Sequence, residues 1–80
     1  MGALMVHLRD HAGDPIAGKR VFVNFVGTFV DSHSEDYTDG DGTVDFNDIP
    51  TGKVEVYVDG HRQLSVGVGQ NDHKDITVSL

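Results

Sequence analysis

Cysteine is absent from the 80 residues, so neither disulfides nor thiolate-bound metal can staple the fold. Bases are scarce: six Lys and Arg stand against thirteen Asp and Glu, a formal net charge of −7. Such a surface repels phosphate backbones, and no Lys/Arg cluster overcomes that, so nucleic acid is excluded as a partner. No apolar run is long enough to span a bilayer. The opening Met1-Gly2-Ala3-Leu4-Met5-Val6-His7 lacks a basic region followed by a long apolar one, so it carries no export signal. The expectation is a complete small protein made in the cytoplasm, with membrane excluded as a partner and assembly into a virion or other particle as its destination. A helical period is also missing. Ten Gly and two Pro instead break the chain into short pieces, and 80 residues allow one domain, 1–80, near the lower size limit for a self-sufficient core.

What is present is alternation. Seven strands are expected, which makes the chain an all-β sandwich. The first spans Leu4 to Arg9 with Leu4, Val6 and Leu8 inward, and Ile16 caps the core beyond the turn Asp10 to Pro15. The second, Lys19 to Val26, buries Val21, Val23 and Phe25, and shows an unusually apolar other face of Phe22, Asn24 and Val26. After the segment Gly27 to Ser34, where Phe29 or Val30 tucks under, a third strand runs from about Glu35 to Thr38. Asp39-Gly40-Asp41-Gly42 then reads as a β-hairpin turn, because Gly supplies the positive φ such turns demand. Val44 and Phe46 point inward from the fourth strand, Ile49 plugs the corner, and Pro50 and Gly52 aim the fifth. That strand, Lys53 to Asp59, buries Val54, Val56 and Val58. Arg62 to Val68 buries Leu64, Val66 and Val68, and Lys74 to Leu80 buries Ile76, Val78 and Leu80. Strict alternation in these last three fits a half-buried antiparallel sheet. The inward side chains number about fifteen, each worth about 1.5–3 kcal/mol when buried. That roughly offsets the ordering entropy and leaves the marginal net stability of a small domain.

Two stretches carry a family resemblance. Gly13-Asp14-Pro15-Ile16-Ala17-Gly18-Lys19-Arg20-Val21 resembles the early segment of carboxypeptidase regulatory-like, or prealbumin-like, β-sandwich domains. The run Thr38 to Val58 is similar to their central Asp-Gly turn, strand, Pro-Gly corner and strand, and the turn Asp59-Gly60-His61 falls where that family also turns. The resemblance implies a seven-stranded Greek-key, immunoglobulin-like sandwich, a fold that hosts adhesin stalks, carbohydrate-binding modules, enzyme accessories and phage structural domains. Two active branches find no counterpart. Collagen-adhesin B-type repeats place an isopeptide-forming Lys inward on the first strand, where this chain has Leu4, Val6 and Leu8. The transthyretin-related hydrolases end in Tyr-Arg-Gly-Ser, where this chain ends Thr77-Val78-Ser79-Leu80.

Candidate chemistry is sparse. An EF-hand starting at Asp39 would need Gly and Glu where Val44 and Pro50 stand. His7, His11, His33, His61 and His73 lack tight ligand spacing. In an up-and-down reading, His11, Asp39–Asp41 and His61 share one end of the sandwich, and His33, Asp48 and His73 the other. The His are read as solvated, so no metal and no cofactor is implied. No nucleophile signature surrounds Ser32, Ser34, Ser65 or Ser79. Tyr37 and Tyr57, on outer faces, are candidates for stacking on a sugar, against ordinary cross-strand packing. Phe22, Val26, Phe29 and Val30 are candidates for an interface, since a small acidic domain gains nothing in solubility from exposing them. The reading is a non-enzymatic module that contacts a protein partner or itself, with carbohydrate binding as the alternative.

Overall fold

The computed structural model describes residues 2–26 and 32–80, and within them the chain forms an immunoglobulin-like Greek-key sandwich. Its strands are β1 (Gly2–Arg9), β2 (Arg20–Val26), β3 (Ser32–Tyr37), β4 (Thr43–Ile49), β5 (Gly52–Val58), β6 (His61–Val68) and β7 (His73–Ser79). One sheet has the order β4-β1-β7 and the other β3-β2-β5-β6. The core between them is almost wholly aliphatic. Leu4, Val6 and Leu8 of β1, Val21 and Val23 of β2, and Val54, Val56 and Val58 of β5 are all essentially inaccessible. Period-two alternation drives this, because a strand with one apolar face must turn that face onto the opposing sheet. Leu64, Val66, Ile76 and Leu80 also point to the core but stay half-buried, as β6 and β7 are edge strands. Phe25, near the end of β2, is half-buried too.

Three expectations are corrected. The Asp-Gly turn at residues 39–42 does not join a hairpin: β3 and β4 belong to different sheets. The turn is a corner that carries the chain across the sandwich. The true two-residue hairpin is Asp59-Gly60, between β5 and β6, where both residues have positive φ (51° and 82°), the type I′ geometry whose twist matches paired strands. The last three strands are not one antiparallel sheet either. β5 and β6 pair antiparallel in the four-stranded sheet, but the chain then crosses to the other layer, where β7 pairs parallel to β1, from Ala3↔His73 to Arg9↔Ser79. Alternation reports which face is buried, and parallel and antiparallel neighbours bury it equally well. Finally, β3 begins at Ser32, earlier than expected, so His33 and Ser34 are sheet residues.

Two bulges reset the alternation. In β4, Leu4 faces Phe46 while Gly2 faces Ile49, so one extra residue is taken up, and Asp48 adopts φ 57°. That kink turns Ile49 inward, where strict alternation would bury Asp48. In β6, Val56 faces Leu64 but Tyr57 faces Arg62. The extra residue, Gln63, puts Arg62 beside Tyr57 on the outer face, although its parity matches the inward Leu64.

Candidate functional site

The outer face of the β3-β2-β5-β6 sheet is built from alternate residues of its strands. Arg20, Phe22, Asn24 and Val26 project from β2. Phe22 is opposite Glu35 and Tyr57, and Asn24 is opposite His33 and Glu55. At the centre, the Phe22 ring stacks on His33 with centroids 5.0 Å apart and meets Tyr57 edge-on at 5.8 Å. The Arg20 guanidinium lies 5.9 Å over the Phe22 ring. Each contact matches the quadrupole of the aromatic face, negative above the ring and positive at its edge. Arg20, Phe22, Tyr57 and Gly60 line a shallow cleft of about 270 Å³. Phe22 is therefore half-buried by its own cross-strand neighbours. Val26, 38% exposed, is less covered.

Charged groups frame this cluster. Arg20 pairs with Glu35, and Lys19 Nζ lies 2.8 Å from Asp59. Glu55 accepts from Asn24 Nδ2 at 3.3 Å and from Arg62 at 3.1 Å. The Asn24 hydrogen bond, then Arg62, holds the Glu55 carboxyl below its ordinary value near 4.5. The bulge in β6 makes this possible, because it is what turns Arg62 outward.

Tyr57 leans on Phe22 and is half-buried, whereas Tyr37 on the edge strand β3 is 62% exposed and stands opposite Arg20. β2 separates the two tyrosines, so they form no shared platform. Phe29 and Val30 lie outside the described residues, as does the question of what residues 27–31 cover.

At one end of the sandwich, the loop 10–19 is bound to the corner 38–42. Thr38, only 5% exposed, is the joint. Its hydroxyl accepts from the Lys19 N–H (2.9 Å) and donates to the Ile16 carbonyl (2.7 Å), while its backbone bonds Gly18 and Lys19. The adjacent Asp39 carboxylate accepts the N–H groups of Asp41 and Thr43, and Asp10 does the same for Ala12 and Asp14. Both turns thus follow one pattern, Asp-x-x-Gly, with Gly13 and Gly42 at positive φ. Sequence reasoning placed both turns but missed Thr38 and the likeness between the turns, which the repeated Asp-x-x-Gly spacing signals. The first carboxylate of each turn is committed to backbone donors, which is structural work. Arg9 donates to the Asp41 carbonyl at 2.9 Å and holds the two loops together.

At the opposite end, Gly2, Ala3, Asn47, Asp48, Asn71, Asp72 and His73 line a polar hollow of about 270 Å³. Asp48 and His73 therefore do share an end, whereas His33 lies on the sheet face against Phe22. Among the described residues, no three His, Asp or Glu side chains gather in a way that could hold a metal ion. On β1, the places where the adhesin branch carries its reactive Lys hold the core residues Leu4, Val6 and Leu8.

No family model matches the sequence, and no curated protein sequence matches it. Solved structures do share the fold. BcpA, the major pilin subunit of Bacillus cereus, superposes with a TM-score of 0.73 at 15% identity, over 98% of this chain and 29% of that one. A 9R-lipoxygenase from Cyanothece PCC8801 gives 0.53 at 16% identity, over 95% of this chain and 16% of that one. This chain thus spans less than a third of either protein. At such identities the likeness is one of fold.

Proposed function

We propose that this chain is a non-enzymatic interaction module whose outer β3-β2-β5-β6 face, around Phe22 and Val26, docks onto a protein of a larger assembly. A virion surface or tail is one concrete form of that assembly. The reading is carried by the half-exposed aromatic cluster of Phe22, His33 and Tyr57, bordered by Arg20 and the shallow cleft. Aromatic and Arg side chains grouped at the centre of a patch, with charged groups at its rim, match the composition of protein interfaces. The fold shared with part of a major pilin subunit supports a structural role in the same direction. Residues 27–31 adjoin Val26, so Phe29 and Val30 are assigned to the same contact.

The test is a pair of variants, Phe22→Ser and Val26→Ser, measured for thermal stability and for binding to a partner identified with the wild-type chain. Loss of binding by both, with the melting temperature of Val26→Ser unchanged, is the expected result. Binding that survives both substitutions, or a Phe22→Ser chain that no longer folds while Val26→Ser binds normally, overturns the reading. The exposed Tyr37 supports a carbohydrate alternative. A glycan-array signal abolished by Tyr37→Ala and untouched by Val26→Ser would establish that ligand instead.

A further inference from the structure

A sandwich made of two open sheets has four edges, here β3, β4, β6 and β7. An edge strand offers a row of unpaired backbone donors and acceptors, and proteins usually block it with charge, bulges or proline. β3 carries Glu35 and Asp36. β4 carries Asp45 and Asp48 and is kinked by its bulge. β7 opens with His73-Lys74-Asp75. β6 differs from these three: from Gln63 to Asn71 the chain has no ionisable group, in a protein of net charge −7 with 24% charged residues. Beyond the bulge at its start, β6 is regular from Leu64 to Val68. At Gly67 a Cβ would meet nothing within 4 Å, so the outer face of the strand is open there, while the sheet order leaves its edge without a neighbouring strand. Its inward residues Leu64 and Val66 stay half-buried, as do Ile76 of β7 and Leu80 just beyond that strand.

We propose that β6 is a self-association edge, along which a second copy of this chain pairs antiparallel about a two-fold axis at Gly67. The charges at its ends select this occupant. Arg62 stands at one end of the neutral stretch and Asp72 at the other. Antiparallel pairing brings the Arg62 end of each strand against the Asp72 turn of the other copy, and sets Val66 opposite Val68 on the core-facing side. Two chains of charge −7 repel one another across most orientations, and the stretch Gln63 to Asn71 is where they can approach with no ionisable side chain of either strand segment opposed. The product is one continuous sheet of eight strands, four from each copy, in an isologous dimer. This surface is distinct from the outer face around Phe22, and the two can be occupied together.

The experiment is sedimentation equilibrium of the full chain across a dilution series up to about 100 µM, the range expected of a small, backbone-dominated interface. Wild type should show a concentration-dependent dimer. Gly67→Lys and Gly67→Glu each place like charges opposite one another at the axis and should weaken the dimer by about tenfold or more. An equimolar mixture of the two should restore it as a heterodimer. Circular dichroism and the melting temperature verify the fold at low concentration, and Ser65→Lys on the same edge replaces Gly67→Lys should the latter unfold. A wild-type chain that remains monomeric overturns the proposal, and so does a dimer unaffected by Gly67→Lys. A dimer abolished by Val26→Ser but not by Gly67→Lys assigns self-association to the outer face instead.

Discussion

Gly42 and Gly40 sit two residues apart in one corner and face opposite demands. Gly42 has φ 72°, and a Cβ there would lie 2.8 Å from the Leu8 carbonyl oxygen and 2.9 Å from the Ile16 nitrogen. Both neighbours are backbone, so neither can swing aside, and the left-handed conformation adds its own cost. Gly42→Ala should therefore destabilise by about 2 kcal/mol or more. A Cβ on Gly40 meets nothing within 4 Å. Gly40→Ala should be neutral or stabilise by up to about 1 kcal/mol through the unfolded chain. Urea unfolding of the two variants checks the contrast, and equal effects would mean that the corner does not close against β1 as described. The Asp-Gly doublet made Gly40 the conspicuous residue of the sequence. Gly42 matters because of what packs over it, namely β1 and the loop after it.

Strands cooperate at the Glu55 site, where β2 supplies Asn24, β5 the carboxylate and β6 the Arg62 guanidinium. The folded state holds the Glu55 pKa below 4.5, its value in the unfolded chain. A depressed carboxylate stabilises fully above its unfolded pKa, and that contribution is lost as the pH falls through 4.5 toward the folded value. The difference in unfolding free energy between wild type and Glu55→Gln should thus be constant at neutral pH and shrink below about pH 4.5. A difference that grows on acidification would show that the Asn24 and Arg62 contacts do not persist in solution. No pattern within one strand reveals this site. Strict alternation assigns Arg62 to the inner face, and only the bulge opposite Val56 and Tyr57 turns it outward.

At the scale of the molecule, the two sheets hold together through an aliphatic layer in which Val56 is wholly buried. Val56→Ala removes two methyl groups from a site walled by both sheets and should cost about 1–3 kcal/mol. The neighbouring Tyr57, on the other face of the same strand, should lose less on replacement by Thr, because its ring rests against Phe22 at the surface rather than in the core. Thermal unfolding of both variants ranks them, and the reverse order would place β5 in the wrong register. Thr38 acts on the same scale by another means, tying the loop 10–19 to the corner between the sheets with two hydrogen bonds from one hydroxyl.

The sequence by itself determined most strand positions and inward sets, the start of β3 and the two bulges excepted, because period-two burial is written in residues that are neighbours along the chain. Leu4, Val6 and Leu8, or Val54, Val56 and Val58, announce their face without knowing their partner. The Asp59-Gly60 turn is legible for the same reason, since positive φ is a local property. Only the tertiary structure decided which strands share a sheet. The pairing Ala3↔His73 joins residues from opposite ends of the chain, and nothing in either segment distinguishes a parallel neighbour from an antiparallel one. It likewise decided where the alternation slips, at Asp48 and Gln63, and so which charged groups reach the outer face. The Phe22 cluster lies between these limits: alternation exposes the ring, but the pairing of β2 with β3 and β5 is what sets His33 and Tyr57 against it. Faces follow from local side-chain chemistry, whereas neighbours follow from how distant segments share one core.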